Sequence, residues 1–232
     1  MATTFLKKRL LDLYRNNVLP RIEALHAEQI YQGIFTQQCR AHAIDDVFYP
    51  VGAAASYSLL YLLTRALTEL PVKAVVELGS GQTTVLIDRL LRDDSTHVAY
   101  EQDAMWAERI NARIKHARVL HSPLAPLKHE GVSFNGLSNV KLQPFDLLLV
   151  DGPNGTDHHS RYNCMPLVTA NAAREFMIVI DDADRPGEQE TIRDLSKLLQ
   201  GRGIDFKLNY LHGRNAQAVV TTPAYRAASY YF

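Results

Sequence analysis

The segment Ala74–Thr84, AVVELGSGQTT, decides the fold of this chain of 232 residues. It begins with a short apolar run that ends at Gly79, and such a run predicts a strand buried in a parallel sheet. Glycine at 79 and again at 81 permits a sharp turn and a close approach of the backbone to a ligand. A helix is expected next, from about Thr83 to Leu91. The segment therefore predicts a strand, a binding loop and a helix, the first unit of a doubly wound α/β sheet.

Helices precede this unit. Two apolar stripes predict two N-terminal helices, each with one buried face. The stripes consist of Leu6, Leu10, Leu13 and Tyr14, and, after Pro20, of Ile22, Leu25 and Ile30. A loop is expected over residues 45–52 and a third helix from about Ser56 to Leu70, where Pro71 ends it. We therefore predict a helical extension over residues 1–54 and an α/β domain over residues 55–232.

Apolar runs after the first unit predict six more strands. They lie at about residues 97–100, 118–120, 145–150, 176–180, 203–210 and 216–221. Helices alternate with most of them, and Trp106 is expected in the core on one such helix. Residues 122–143 show no clear period and are interpreted as a loop, with a hairpin as an alternative. Only residues 211–215 separate the last two strands, so we predict a seven-stranded, mostly parallel sheet with one antiparallel strand near its edge.

The composition limits the classes of partner. Basic and acidic residues balance to a formal net charge of zero, so no bulk field favours nucleic acid or an anionic membrane. The N-terminal sequence lacks the apolar stretch of a secretory signal, and no apolar run approaches the roughly 20 residues that span a bilayer. Cys39 and Cys164 show no sign of pairing. We therefore expect a cytoplasmic protein without a membrane or nucleic-acid partner.

Two carboxylates frame the glycine loop. Glu77 precedes the first glycine, and Glu101 ends the second strand about 20 residues further on, where an acid can accept both ribose hydroxyls. A dinucleotide loop prefers glycine or alanine at the position of Thr84 and directs its amides at a pyrophosphate, which a carboxylate repels. S-adenosylmethionine has a sulfonium and an ammonium group and no phosphate. We therefore predict a site for it that comprises Glu77, Gly79, Ser80, Gly81, Thr83, Thr84, Glu101, Gln102 and Asp151.

These motifs resemble those of a known family. AVVELGSGQTT is similar to the first motif of class I S-adenosylmethionine-dependent methyltransferases, VAYEQD to the second, and FDLLLVDGP to the motif at the end of the fourth strand. DGPNG…SRYNCMPLV and IDDADRPGEQE are similar to a group of small bacterial methyltransferases. The resemblance covers roughly residues 56–222. It implies that residues 55–232 bind S-adenosylmethionine and transfer its methyl group, and it leaves the acceptor unidentified.

An acidic cluster is expected at the ligand-binding edge of the sheet. Asp151 ends the fourth strand, and Asp181 and Asp182 end the fifth, so the three carboxylates would repel one another unless they are neutralised. Mg²⁺ is one candidate, because it prefers carboxylate oxygens. Metal-dependent O-methyltransferases of the catechol type have acids at similar strand ends, but they usually have Asn at the position of Asp182. Their first acid is also not followed by Gly152-Pro153.

Three interpretations of this cluster remain open: a Mg²⁺ site of Asp151, Asp181 and Asp182, a metal-free site for a substrate amine or hydroxyl, and a helix cap.

Imidazoles accept protons near neutral pH, which makes His158 and His159 candidate bases. Arg161 either binds an acceptor carboxylate or pairs with one of the acids. The candidate catalytic residues are Asp151, His158, His159 and Asp182, and the candidate substrate-binding residues are Arg161, Tyr162, Asp182 and Arg185.

The function predicted from these residues is methyl transfer from S-adenosylmethionine to a small molecule or sugar, at oxygen. The alternatives are N-methylation of a small amine, a nicotinamide-dependent oxidoreductase, and a non-catalytic cofactor-binding protein. The N-terminal helices are expected either to cover the active site or to form a homodimer interface.

Overall fold

The computed structural model describes residues 2–171 and 174–231. Its helices are α1 (Ala2–Leu13), α2 (Leu19–Ala41), α3 (Tyr57–Glu69), α4 (Gln82–Leu90), α5 (Ala104–Asn111), α6 (Cys164–Asn171) and α7 (Pro186–Gly201). A π-helical turn, Tyr14–Val18, joins α1 to α2, and a 3₁₀ helix, Pro223–Tyr230, follows the last strand. Among these residues, no helix has the length and apolarity needed to cross a bilayer.

Nine strands lie within the described residues, and helices separate most of the strands of the main sheet. They are β1 (Ala74–Leu78), β2 (Thr96–Glu101), β3 (Arg118–His121), β4 (Leu124–His129), β5 (Val132–Leu137), β6 (Leu147–Val150), β7 (Met177–Ile180), β8 (Lys207–His212) and β9 (Ala216–Thr221). Seven of them form one sheet in the order β3-β2-β1-β6-β7-β9-β8. Only β9 runs opposite to the other six strands of this sheet, and it lies second from the edge. The predicted seven-stranded, mostly parallel sheet is therefore confirmed.

The sheet is buried on both faces because successive side chains of a strand point in opposite directions. Val75 packs with α3 and α4 in one core, whereas Val76 packs with α6 and α7 in the other. In register, Leu78 lies opposite Tyr100 and Val150, and Val150 lies opposite Ile180. The carboxyl ends of β2, β1, β6 and β7 are therefore level, and the segments that follow them meet at one edge of the sheet.

Two segments between the predicted elements depend on residues with positive φ. Strands β4 and β5 form a separate antiparallel hairpin, which confirms the hairpin alternative for residues 122–143. Its turn has positive φ at Glu130 and at Gly131, as a two-residue hairpin loop that matches strand twist requires. The strand expected from Gly203 begins only at Lys207, because Gly203 (φ +68°) ends α7 instead.

The expectation of buried stripes on the N-terminal helices was wrong. Within this chain the predicted apolar side chains are exposed, namely Leu10, Leu13, Tyr14, Ile22, Leu25 and Ile30, while the side chain of Leu6 lies outside the described part. A different face of α2 contacts the α/β domain. Phe35 is buried there, and the ring of Tyr31 stacks on that of Tyr61 with centroids 4.8 Å apart. Hydrophobic spacing identified the helices but not the face that packs on the domain.

Glu28 is the polar anchor between α2 and the domain. Its carboxylate accepts backbone hydrogen bonds from Tyr57 (2.5 Å) and Ser58 (3.3 Å), at the first turn of α3, and from Arg214 (3.0 Å) in the β8–β9 turn. Residues that are distant in sequence therefore share one carboxylate. The division at residue 54 stays a prediction, and Glu28 joins its two sides.

We expect Glu28→Ala to lower the free energy of unfolding by about 2 kcal/mol or more, because hydrogen bonds to a charged acceptor are each worth about 1.5–3 kcal/mol. Urea unfolding followed by circular dichroism measures this difference. Glu23→Ala is the matched control, since Glu23 is an exposed glutamate on the same helix. Equal stability of the two variants would contradict the anchoring role.

Candidate active site

A cavity of about 880 Å³ opens at the carboxyl ends of the parallel strands. This volume lies within the roughly 300–1,000 Å³ typical of small-molecule sites. Most of the predicted site residues line it: Gly79, Ser80, Gly81, Thr83, Glu101, Gln102, Asp151, Arg161, Asp181, Asp182 and Arg185. Glu77, Thr84, His158, His159 and Tyr162 do not contribute to its lining. Sheet topology therefore brings one set of predicted residues together and leaves a second set outside the cavity.

Glu101 is held by the glycine loop. Its Oε2 accepts hydrogen bonds from the amide and from the hydroxyl of Ser80, both at 2.9 Å, and its Oε1 accepts from the amide of Asp103 at 3.0 Å. Both carboxylate oxygens are therefore fixed before a ligand arrives. Because a carboxylate has about four lone-pair sites, Glu101 retains acceptor capacity toward the cavity.

Glu77 and Thr84 support the loop from behind. The Oε1 of Glu77 accepts from the hydroxyl of Thr83 at 2.5 Å, and its Oε2 pairs with His97 Nε2 at 2.9 Å, all inside the protein. The hydroxyl of Thr84 accepts the amide hydrogen of Gly81 at 2.9 Å and so caps α4. These residues fix the start of α4, and neither side chain faces the cavity.

Gly79 brings the glycine loop against the segment after β6. It has φ +92°, and a Cβ added to it would lie 2.9 Å from the carbonyl carbon of Asp151. A Cβ on Gly152 would likewise lie 2.6 Å from the Cα of Gly79. Two glycines therefore allow the two backbones to touch. Gly79 was expected to contact a ligand, and the structure shows that it also contacts the backbone of the segment after β6.

The three aspartates meet as predicted. One carboxylate oxygen each from Asp151, Asp181 and Asp182 lie within 4.8 Å of one another. Burial, and then the charge of Asp181, raises the pKa of Asp151 well above its usual range, while burial and the charge of Asp182 raise the pKa of Asp181. The cap interpretation does not hold, because the residue at the N-cap of α7 is Arg185. The cluster thus carries more negative charge than its surroundings accommodate easily.

Arg161 lies within this cluster and is itself buried. Its Nη2 donates to Asp182 Oδ2 at 2.8 Å, and its Nη1 donates to the carbonyl oxygen of Asp181 at 3.0 Å and lies 3.6 Å from Asp151 Oδ1. Although burial opposes its charge, the carboxylate of Asp151 helps to raise the pKa of Arg161. Of the two interpretations of Arg161, the structure favours the ion pair with the acids.

The histidines after β6 face away from the cavity. His158 is exposed, and its Nδ1 lies 3.1 Å from Glu190 on α7. The amide of His159 donates to the same carboxylate. Tyr162 is buried, with its hydroxyl directed at Asp194. None of the three lines the cavity, so the structure does not support His158 or His159 as the general base.

Trp106 was expected in the core, and the structure corrects this expectation. Ala107 and Ile110 form the buried stripe of α5, which leaves Trp106 one position around the helix, 40% exposed and lining the cavity. The indole Nε1 donates to the carbonyl oxygen of Ser80 at 2.8 Å. The spacing of Trp106 from Ile110 gave no signal for this role, because it equally fits a buried helical stripe.

Residues 49–54 form one wall of the cavity. The sequence predicted only a loop in this region. Gln82 pairs with both backbone polar groups of Tyr49, donating to its carbonyl at 2.9 Å and accepting from its amide. Arg214 donates to the carbonyl oxygens of Pro50 and Ala54. The first helical residue after the glycine loop thus fixes the opposite wall.

Comparisons with known proteins agree with this architecture. No protein-family profile matches the chain, and no curated protein matches it in sequence. Among solved structures, it is similar to an O-methyltransferase from Bacillus cereus in complex with SAH (TM-score 0.54) and to the O-methyltransferase TomG from Streptomyces achromogenes, involved in tomaymycin synthesis, in complex with SAM (TM-score 0.51). Each is 14% identical, and the matches cover 87% of this chain and 99% and 98% of theirs. The chain therefore has the class I methyltransferase fold.

We expect Gly79→Ala to destabilise the protein by about 1 kcal/mol or more, because the added methyl meets backbone and φ is positive. Thermal unfolding measures the effect. The matched control is Gly81→Ala, where a Cβ has no neighbour within 4 Å. If Gly79→Ala is no less stable than Gly81→Ala, the backbone contact does not constrain the loop.

Proposed function

We propose that this protein transfers the methyl group of S-adenosylmethionine to a small-molecule or sugar acceptor, at oxygen. The observation that carries the proposal is the shared cavity, which Glu101, the glycine loop and Asp151 all line. Glu101 would accept the ribose hydroxyls, and the loop would contact the methionine portion. Both of the similar solved structures reported above are named O-methyltransferases, which supports oxygen as the acceptor atom.

The hydrogen bonds of the loop disfavour a dinucleotide. A pyrophosphate needs free amides at the start of the helix. Here the amide of Ser80 donates to Glu101 and the amide of Gly81 donates to Thr84. These contacts favour S-adenosylmethionine over a nicotinamide cofactor.

Positioning and proton removal are the chemical tasks that remain. Displacement at the sulfonium methyl requires the acceptor oxygen to be in line with it, and a general base to take its proton. The side chain of Asp151 is 23% exposed to the cavity, whereas those of Asp181 and Asp182 are buried. We therefore assign the proton-accepting role to Asp151 and the positioning of the acceptor to Asp182 and Arg185.

Two measurements test the proposed function. S-adenosylhomocysteine should raise the melting temperature, and NAD should not, because only a ligand that binds the native state stabilises it. Release of S-adenosylhomocysteine should then be measured with phenols, sugars, amines and carboxylic acids as acceptors. Stabilisation by NAD alone would indicate the oxidoreductase, an amine-specific activity the N-methyltransferase, and binding without turnover of any acceptor the non-catalytic protein.

Glu101→Gln is expected to weaken S-adenosylhomocysteine binding tenfold or more, since the loss of a charged acceptor costs about 1.5–3 kcal/mol. Trp106, the only tryptophan of the sequence, reports binding through its fluorescence, because its indole lines the cavity. Glu108→Gln, an exposed change on α5, is the control and should bind like the unmodified protein. Equal affinities would remove Glu101 from the cofactor site.

We also propose that a second copy of this chain covers the N-terminal helices. Between residues 10 and 34, large apolar side chains are exposed, including Leu10, Leu11, Tyr14, Val18, Ile22, Leu25, Ile30 and Ile34. They expose on the order of 700 Å², comparable with the roughly 800 Å² per partner of a stable interface. A helix without tertiary packing is marginal in water.

Charge indicates the direction of this pairing. Residues 7–18 contain four basic residues and one acidic residue, whereas residues 19–34 contain two acidic residues and one basic residue. A parallel pair would place the two strongly basic segments side by side, where they repel, whereas an antiparallel pair places each of them against a segment of opposite net charge. The proposed dimer is therefore an antiparallel helix pair.

Leu25→Glu should convert the dimer into a monomer, because it introduces a charge into the apolar face while glutamate retains helix propensity. Light scattering after size-exclusion chromatography gives the mass. Val47→Glu, an equally exposed apolar position outside these helices, should remain dimeric. A monomeric unmodified protein at high concentration would refute the interface.

A further inference from the structure

The acidic cluster has the shape of a divalent cation site, but arginine side chains already bind part of it. The partial resemblance to catechol-type O-methyltransferases makes Mg²⁺ a candidate here, and carboxylate oxygens from Asp151, Asp181 and Asp182 do lie within 4.8 Å of one another. Mg²⁺ requires oxygen lone pairs in near-octahedral geometry at about 2.0–2.1 Å. The fit therefore depends on what those oxygens already bind.

Three of the six carboxylate oxygens already accept side-chain hydrogen bonds. Oδ2 of Asp182 accepts from two guanidinium groups, those of Arg161 at 2.8 Å and Arg185 at 2.9 Å. Its Oδ1 accepts from the amide of Asn215 at 2.7 Å, and Oδ1 of Asp181 accepts from Gln217 at 2.8 Å. Asp182 thus has N–H donors on both oxygens. The cluster as it stands does not fit Mg²⁺, because two guanidinium groups already share Oδ2 of Asp182 and supply positive charge where the ion would bind.

The guanidinium of Arg161 is fixed where the positive charge is needed. Its side chain is 4% exposed, and its Nη1 donates to the carbonyl oxygens of Val150 and Asp181, at the ends of β6 and β7. Its Nε donates to the carbonyl oxygen of Pro153 and lies 3.5 Å from the buried carboxylate of Glu188. Each nitrogen of this guanidinium has a backbone or carboxylate oxygen as partner, so its removal would leave the acids without their buried counter-ion.

We propose that Arg161 occupies the place of the divalent cation and makes the acidic cluster metal-independent. Arg161 acts as a positioning residue, because it fixes the carboxylate of Asp182 and leaves the carboxylate of Asp151 facing the cavity. The inference concerns the same cluster as the proposed function, but it depends on metal binding alone, which is measured without cofactor or acceptor. A protein that failed to bind S-adenosylmethionine would therefore leave it intact.

Removing the guanidinium should create the metal site. The unmodified protein should bind no Mn²⁺ at the cluster in electron paramagnetic resonance titrations up to about 1 mM. Arg161→Met keeps the length of the side chain and removes its charge. This variant should bind one Mn²⁺ with a dissociation constant at least tenfold below that concentration, and the bound ion should raise its melting temperature. Adding Asp182→Asn to that variant should abolish the binding, which locates the ion.

Arg185→Met is the matched control. Arg185 bonds to the same oxygen of Asp182, but its side chain is half exposed and its loss leaves Arg161 in place, so no Mn²⁺ site should appear. Two results would overturn the inference: a Mn²⁺ site in the unmodified protein that Asp182→Asn removes, or a folded Arg161→Met variant that binds no Mn²⁺. The first of these needs no Arg161 variant, so the inference stays testable even if Arg161→Met does not fold.

Discussion

Electrostatic repulsion among carboxylates at the strand ends is the constraint on which the rest of the site depends. Parallel strands β6 and β7 end level with each other, so the residues that follow them cannot separate. Three aspartates and the buried Glu188 are thereby confined to one region, and a cation must be buried with them. Arg161, in the segment between β6 and α6, supplies this cation. Both Arg161 and its partner Asp182 have positive φ. The backbone adopts an unfavourable conformation at both partners of the Arg161–Asp182 ion pair, which indicates how strongly that pair shapes the segment.

The sequence predicted those features that follow from periodicity and from the rules of parallel sheets. The mostly parallel sheet with one reversed strand, the glycine loop and the meeting of Asp151 with Asp181 depend on the backbone, and all of them appear in the structure. The position of a side chain around its helix or loop was harder to predict. Trp106 lies one residue off a buried stripe, and His158 lies in a loop whose path turns toward α7. Nothing in local spacing distinguishes these orientations, because tertiary packing decides them.

The N-terminal region shows the same limit in another form. Apolar spacing correctly indicated helices there, but the residues that dock α2 on the domain are Tyr31, Phe35 and the carboxylate of Glu28. A glutamate that caps α3 from another helix has no signature in linear sequence, since its partners are backbone amides. The predicted stripes and the docking face are different surfaces of one helix. Spacing alone cannot assign a surface to its own chain or to another molecule.

The contact between Gly79 and Gly152 has a consequence for how substrate preference can change over evolution. Because the two backbones touch, the segment after β6 cannot be lengthened or reshaped at that point without displacing the glycine loop. The walls that lack this coupling are residues 49–54, held by Gln82 and Arg214, and the β4–β5 hairpin, which pairs outside the main sheet. Natural variation in acceptor preference among homologues is therefore expected to concentrate in those two segments, while the glycine pair stays invariant.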